Sequence, residues 1–498
     1  MQLQFEKQTH TCLQTVKREN QNQEQTQELR ISDGMPDIGR IVGAWGQVIL
    51  RGKEWQSDAV VVNGGTKVWV QYIPEEGGEP YCVESWLPFQ MHWDIPESQS
   101  DGTIHVQCFL RSVDARGTSA RKLIVRTNLS VSLCAMAEQE WTVYAPNQLP
   151  EDIQLRYETY PVELFAEAGE KAFSLEEALV LPSAVPSMEQ LVSYQMQPQI
   201  TEVKFVGDKV VFRGNAMLHI LYKAKEGGLY SWDTELPFTQ YSDLQSEYPE
   251  NGRIQILPCI TALEIDKEEE QYQLKAGIVC QYCICNRHMV EVITDAYSPR
   301  RGISPQCQEL QLPGILEYKA EPVHPQLNIT VSGMRLVDTQ FLPEPLNTHT
   351  AAQENRLEIG GRFQLLYYDM EGQLSTAHQR WELQKTVDMG PDTMLNAMIL
   401  PEGAAQGNLL SGNAQLSADL RLVTETVNGT PITMLSGIEA EEMQDADPNR
   451  PSLILRRADT SDLWTLAKEN GSTVTAIREA NGLHGDECES KMLLIPIV

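Results

Sequence analysis

Three stretches of the chain alternate between hydrophobic and polar positions, and each one predicts a β-hairpin. The stretches are 58–78, 208–228 and 354–372, and each reads as a strand, a glycine, a second strand and an acidic or glycine-containing turn. Successive side chains on a strand point to opposite faces, so Val68 and Val70 share one face of the first hairpin. The alternation therefore indicates antiparallel sheets.

The three hairpin stretches are copies of one unit. Residues 208–228 align with 58–78 at a shift of 150 positions without a gap, and 354–372 follow at a further shift of 146. The aligned glycines are Gly64, Gly214 and Gly360, and the aligned tyrosines are Tyr72, Tyr222 and Tyr368. The motif Leu-Pro-Phe at 87–89 returns at 236–238. This repetition predicts three tandem β-rich domains of about 110–150 residues.

The fold class that follows is mainly β, with three tandem antiparallel, sandwich-like β-domains and a small α+β module after them. The Gln/Asn run from Asn20 to Gln27 predicts a partly disordered polar arm, and 175–179 predicts a short helix. The predicted boundaries are 1–27 for the arm, 28–145 for β-domain 1, 146–180 for a connector, 181–297 for β-domain 2, 298–315 for a connector, 316–439 for a divergent β-domain 3, 440–451 for an acidic linker and 452–498 for the terminal module.

The last 47 or so residues change pattern and predict strand, helix, helix and strand in that order. Asp459-Thr460-Ser461 offers capping oxygens for a first helix over 463–469, which ends at Asn470-Gly471. Ser472-Thr473 caps a second helix, and Asn481-Gly482 ends it. Short apolar runs at each end of the module predict its two strands.

Composition and charge restrict the classes of partner. The 498 residues carry a formal net charge of −30, which disfavours binding to nucleic acid or to an anionic membrane surface. No apolar run reaches the length of a membrane span, and the first residues lack the features of an export signal, so we expect a cytoplasmic protein. Ten scattered cysteines fit reduced thiols in that compartment.

Candidate chemistry is sparse. Cys280, Cys283 and Cys285, with His288 nearby, offer metal-ligand atoms, but Cys280 and Cys283 should point to opposite faces of one strand. We therefore favour structural cysteines over a metal site. His219 lies in an apolar strand and is predicted to be a packed core histidine. The matched positions of the copies are mainly Gly, Tyr and aliphatic residues, so we expect no catalytic residue, no cofactor and no enzyme activity.

The terminal module resembles a LysM domain. The features that match are the Leu463-Trp464-x-Leu466-Ala467 helix, Gly471-Ser472-Thr473-Val474, Asn481-Gly482-Leu483 and the final Leu494-Ile495-Pro496. The resemblance implies a partner or glycan contact through the loops and first helix, at Asp459, Thr460, Leu463, Trp464, Asn481, Gly482 and Leu483. Trp464 itself allows two interpretations, a core position beside the apolar stripe or a half-exposed contact residue.

Residues 36–42, Pro-Asp-Ile-Gly-Arg-Ile-Val, and the phrase Asp295-Ala296-Tyr297-Ser298 resemble the SPOCS domain of spore coat proteins. Several SPOCS copies before one LysM module resemble the layout of SipL-like spore coat morphogenetic proteins. That resemblance implies an adaptor at the forespore surface, in the mother-cell cytoplasm. Its LysM domain would bind the ATPase-type protein of the coat basement layer.

Two other functions stay open at this stage. A LysM module also implies binding to peptidoglycan or spore cortex through N-acetylglucosamine. Ala458 and the run Glu489-Ser490-Lys491 depart from the family's loop sequences, however, and this favours a protein partner. An enzyme would need a polar cleft in one β-domain that its sister copies lack.

Overall fold

The computed structural model describes residues 1–96, 101–250, 252–268, 271–351, 354–388, 393–410, 412–443, 451–457, 462–483 and 492–498. The first third of the chain holds β1 (Gln2–Gln4), β2 (Glu6–Arg30), β3 (Ile38–Gln56), β4 (Ala59–Pro74), β5 (Tyr81–Asp94), β6 (Thr103–Ser119) and β7 (Lys122–Ala145). The second third holds β8 (Gln154–Leu179), β9 (Met188–Val206), β10 (Lys209–Ala224), β11 (Leu229–Asp243), β12 (Arg253–Glu268) and β13 (Gln271–Tyr297).

Shorter strands make up most of the remaining chain. They are β14 (Ile303–Leu310), β15 (Ile315–Val323), β16 (Gln326–Thr330), β17 (Gly333–Pro343), β18 (Asn347–Ala351), β19 (Glu354–Asp369), β20 (Leu374–Val387), β21 (Thr393–Pro401), β22 (Gln406–Leu410), β23 (Asn413–Ser417), β24 (Leu420–Asn428) and β25 (Ile432–Ala440). The chain finishes with β26 (Leu453–Arg457), α1 (Leu463–Asn470), α2 (Val474–Asn481) and β27 (Met492–Pro496). The prediction of a mainly β fold is confirmed.

Each of three repeats contributes a hairpin sheet and a companion sheet, both antiparallel, and repeat 3 adds a small third sheet, β16-β23-β22. Repeat 1 (β2–β7) has a hairpin sheet, β3-β4-β5, and a companion sheet, β2-β7-β6. Repeat 2 (β8–β13) has the matching sheets β9-β10-β11 and β8-β13-β12. In repeat 3 (β15–β24), β19 pairs with β17, β18 and β20, and the companion sheet is β15-β24-β21. The companion sheets join where β8 pairs with β2 and β15.

Repeats 1 and 2 match even in the irregularities of their strands. A β-bulge inserts one unpaired residue and re-aims the strand around it. Five bulges recur 150 positions apart, at Val16 and Ala166, Gly39 and Glu189, Val42 and Val192, Arg51 and Thr201, and Arg111 and Thr261. The repetition seen in the sequence is therefore a repeat of backbone geometry.

The aligned glycines have a packing reason. Gly64 lies opposite Phe89 across the β4–β5 pair, and Gly214 lies opposite Phe238 in the β10–β11 pair. A Cβ at Gly64 would stand 2.6 Å from the Phe89 ring, and one at Gly214 would stand 2.5 Å from the Phe238 ring. A Cβ would also meet the Ile49 carbonyl at Gly64 and the Gln199 carbonyl at Gly214, so only a glycine fits opposite the phenylalanine in both copies.

The aligned tyrosines behave alike in two copies and differently in the third. Tyr72 Oη donates to the Pro36 carbonyl and Tyr222 Oη to the Pro186 carbonyl, each at 2.9 Å. Tyr368 instead accepts from the backbone N–H of Leu229, at 3.1 Å. The third tyrosine thus fastens repeat 3 to repeat 2, whereas the other two tyrosines brace their own repeat.

The predicted disordered arm at 1–27 is wrong, because β2 pairs with β7 along its whole length. The polar residues at 20–30 of β2 alternate between exposed and half-buried positions, and some of them bond to backbone groups. Gln21 Nε2, for example, donates to the His92 carbonyl on the free edge of β5, at 2.9 Å. The predicted helix at 175–179 is also wrong, since these residues end the long strand β8. The proposed connectors 146–180 and 298–315 contain β8 and β14.

The three hairpin sheets close into a ring. In each case a side chain of one repeat donates to the carbonyl of a bulged valine in the next repeat. The bonds are Cys82 Sγ to Val192 O (3.3 Å), Ser231 Oγ to Val337 O (2.8 Å) and Thr376 Oγ1 to Val42 O (2.7 Å). Head-to-tail contacts that return to the first unit give a closed, pseudo-threefold arrangement.

Apolar contacts join the hairpin sheets, and an ionic cluster joins the companion sheets. One buried cluster combines Val42, Leu229, Val337 and Leu374, so all three repeats contribute. Beside the companion sheets, the buried Glu425 carboxylate lies 3.7 Å from Arg18 and 3.5 Å from Arg253. Such a cluster contributes little net stability, but removing one partner leaves the remaining charge buried and uncompensated.

Candidate interaction module and its seat on repeat 2

The terminal module has the predicted order of elements, with β26 and β27 paired antiparallel and the two helices between them. Its core consists of Leu463, Leu466, Ala467, Ile477, Leu493 and Ile495. The i, i+3 and i+4 spacing on α1 turns one stripe of that helix inward. Trp464 lies beside this stripe and is half-buried.

The caps of α1 differ in part from the prediction. Asp462 is the N-cap, and its Oδ1 accepts from the Thr465 N–H at 2.8 Å. The predicted capping and contact residues Asp459 and Thr460 lie outside the described residues. The helix ends as expected, at Gly471 with φ 62°.

The second helix begins at its predicted cap, where Thr473 Oγ1 accepts from the Ala476 N–H at 3.1 Å, and it ends at Gly482. Asn481 fastens this helix to β27, because its side chain exchanges two hydrogen bonds with the Leu494 backbone, at 2.6 and 2.8 Å. Leu483 packs on the module core. Three of the predicted contact residues, Asn481, Gly482 and Leu483, thus have structural partners within the module.

The module is seated on the end of β13 in repeat 2. Trp464 Nε1 donates to Asp295 Oδ2 at 2.8 Å, and Lys468 Nζ donates to both oxygens of the same carboxylate at 2.7 Å. The Tyr297 ring meets the Trp464 ring edge-on, with centroids 4.8 Å apart. Tyr297 is only 4% exposed and belongs to the module core.

Two further contacts complete the seat. Tyr297 Oη donates to the Ser472 carbonyl at 3.1 Å, just beyond the end of α1. Arg156, on the neighbouring strand β8, lies 2.9 Å from the N-cap carboxylate of Asp462. The module therefore rests on repeat 2 through both ends of its first helix.

The electrostatics of the seat favour an ionised carboxylate. Burial raises the pKa of Asp295, but the hydrogen bonds from Lys468 and Trp464 outweigh it and hold the pKa below its usual value. Burial, with the nearby Asp295 charge, raises the pKa of Tyr297 to about 12, so its hydroxyl stays a donor at neutral pH. The Thr465 hydrogen bonds, opposed by burial, lower the pKa of Asp462.

Sequence reasoning singled out Asp295–Ser298 only as a family-like phrase and did not connect it with the module. Arg156 was missed altogether, because it falls in a segment interpreted as a connector. One signal was available: Ala145 and Asn147 stand 150 positions before Asp295 and Tyr297, so the copies differ at this strand end.

The cysteine cluster does not form one group of ligands. Cys280 packs in the core of repeat 2, while Cys283 and Cys285 pack in another cluster, so the prediction of opposite faces is confirmed. Burial raises the pKa of Cys280 to about 12. Across the residues that the structure describes, no three His, Cys, Asp or Glu side chains group as a metal would require.

A second polar region lies where the repeats meet. A cavity of about 780 Å³ is lined by strands from all three repeats, including Gln47, Gln195 and Gln340. On its wall, His219 Nδ1 is 2.6 Å from Asp233 and its Nε2 is 3.0 Å from Asp338. His219 was predicted to be a core histidine and is instead an ion-paired residue between repeats 2 and 3.

The pKa of His219 reflects that position. Burial lowers it, but the carboxylates of Asp338 and Asp233 outweigh burial and raise the pKa to about 10. The imidazole is therefore charged at neutral pH and holds two carboxylates together.

Among the described residues, no helix has the length and apolarity needed to cross a bilayer.

Comparison with protein-family models gives a match in repeat 2. Residues 187–265 match the family model described as SipL, SPOCS domain, which covers β9, β10 and β11 and most of β12. This match suggests a sporulation-related role. No curated protein and no solved structure matches the chain.

Proposed function

We propose that this chain is a non-enzymatic adaptor in spore coat assembly, whose terminal module, a LysM-like domain, binds a protein partner. The observation that carries the proposal is the SPOCS match at 187–265 in a chain that ends in a strand–helix–helix–strand module. The repeats are built around glycine, tyrosine and aliphatic positions, which suit a scaffold.

The partner in this proposal is the ATPase-type protein of the coat basement layer, met at the forespore surface in the mother-cell cytoplasm. Its support is the resemblance of the domain order to SipL-like proteins. In the free chain the seat would hold the module against repeat 2, since it joins α1 to the ends of β8 and β13.

A pull-down with the coat ATPase tests the proposal. The full chain should retain the ATPase, and a chain lacking 451–498 should not. Because that deletion also uncovers Tyr297, the second variant is Ile477→Asp, which places a charge at a fully buried core position of the module. Unchanged retention by both variants would contradict the proposal.

Sedimentation with purified peptidoglycan separates this proposal from the alternative of glycan binding. An adaptor with a protein partner should stay in the supernatant at moderate salt. Retention that disappears with Ile477→Asp would instead assign the module to peptidoglycan.

A further inference from the structure

We propose that the side of α1 that carries Trp464 and Lys468 is a recognition site for an acidic–aromatic segment of the form Asp-x-Tyr, and that Asp295–Tyr297 of repeat 2 occupies this site in the free protein. A partner of the module would then carry a similar segment and exchange with the chain's own copy. The inference that a partner carries such a segment rests on the proposed function. The inference that Asp295–Tyr297 occupies the site rests on the contacts of the structure alone.

The first half of the site selects a carboxylate. The Trp464 indole N–H and the Lys468 ammonium converge on one carboxylate, that of Asp295. An indole nitrogen can only donate, and a lysine ammonium can only donate. Both groups therefore need an acceptor, and a charged acceptor gives the stronger bond.

The second half selects an aromatic ring with a hydroxyl. Tyr297 stands two residues after Asp295 on an extended strand, so both side chains leave the same face. Its ring packs on Trp464, and its hydroxyl reaches the Ser472 carbonyl, which follows the end of α1. The spacing of carboxylate and ring along one strand is what a linear peptide could reproduce.

The seat of repeat 2 has no counterpart at the matching strand end of repeat 1. The positions 150 residues earlier hold Ala145 and Asn147, which offer neither a carboxylate nor a ring. The nearby Tyr144 hydroxyl donates to Gln308 instead. The Asp-x-Tyr pair at the end of β13 is thus an addition to a shared strand, placed where the module sits.

Competition follows from this geometry. While Asp295 and Tyr297 occupy the face of α1, an external Asp-x-Tyr segment finds only the fraction of molecules in which the module has left its seat. The apparent affinity is reduced by that fraction. Weakening the chain's own contact should therefore tighten the binding of an external segment.

The test uses the full chain and a fluorescent peptide with the sequence of residues 291–299, Glu-Val-Ile-Thr-Asp-Ala-Tyr-Ser-Pro. Asp295→Asn in the protein should tighten peptide binding roughly tenfold, because it removes the carboxylate charge to which Trp464 and Lys468 donate and so weakens the competing segment. Tyr297→Phe removes only the hydroxyl contact and should give a smaller gain. Binding is measured by fluorescence polarisation.

Matched controls keep the result specific. Glu291→Gln changes an exposed carboxylate on the same strand and should leave binding as in the unmodified chain. Trp464→Phe combined with Asp295→Asn should lose the gain, and a peptide with Asn for Asp should bind weakly. Hydrogen exchange over 462–483 checks that the module stays folded in each variant.

Equal binding to the unmodified chain and to Asp295→Asn would overturn the inference, as would equal binding of the Asp and Asn peptides. Neither result depends on the coat ATPase, so the adaptor proposal would stand or fall on its own pull-down.

Discussion

The junction between repeats 1 and 2 and the junction between repeats 2 and 3 place different chemistry at equivalent positions. Trp69 in repeat 1 stands 150 positions before His219 in repeat 2. Trp69 donates to Glu84 at 3.1 Å and packs against Tyr194, with ring centroids 4.9 Å apart.

At the second junction, His219 is bound between two carboxylates, one from each repeat. The same backbone arrangement thus supports two kinds of junction. In the aromatic junction the central side chain is the indole of Trp69, which does not titrate, and in the ionic junction it is the imidazole of His219, which gains and loses a proton. The two junctions should therefore respond differently to mutation and to pH.

The largest difference is expected from Asp338→Ala. Asp338 is 4% exposed, so its loss leaves the His219 charge with a single partner in a buried site. Breaking a buried ion pair in this way costs about 3 kcal/mol. Denaturant unfolding should show the loss, and hydrogen exchange should place it in β10 and β17. An equal increase of hydrogen exchange in β4 and β9 would contradict the prediction that the two junctions respond independently.

Raising the pH should weaken the ionic junction through His219 itself. The folded-state pKa of His219 is raised to about 10 from an ordinary value of 6.5, so its contribution is complete below 6.5 and is lost as the pH rises through about 10. The exchange rate of the amides in β10 and β17, taken relative to the intrinsic rate at each pH, should rise over that interval. His219→Gln should flatten the response, and an unaltered pH profile in that variant would contradict the assignment.

The smallest effect is expected at the aromatic junction. Trp69→Phe keeps a ring against Tyr194 but removes the N–H that bonds Glu84, which should cost about 1 kcal/mol. Thermal unfolding measures the change, and its size should not vary between pH 6 and pH 9. Burial lowers the pKa of Lys67, but its contacts with Tyr194 and Glu84 outweigh burial and raise that pKa above its usual value, so Lys67 stays charged in this range. A pH-dependent loss would therefore contradict the contrast between the two junctions.

The sequence predicted the features that come from local pattern. Alternation and the 150-residue shift identified the hairpin sheets, and Gly471, Thr473 and Gly482 set three of the four helix ends as expected. Oxygen caps and left-handed glycines act within a few residues, so they can be recognised without knowing the fold.

Long-range features were not predictable in the same way. The polar run at 20–27 has the composition of a disordered segment, and only the register with β7 and the free edge of β5 give its glutamines partners. Ring closure depends on single donors such as Ser231, whose acceptor lies more than 100 residues away. Nothing in the local pattern of such residues identifies the acceptor.

The pairing of β1 with β25 has a consequence for how the protein is made. Residues 2–4 pair with residues 437–439, so one of the first strands to be synthesised must wait for a strand that is made more than 400 residues later. Pairings between distant segments form slowly, and partly formed β-proteins expose strand edges that aggregate. We therefore expect the emerging chain to need protection by chaperones until residue 440 has left the ribosome.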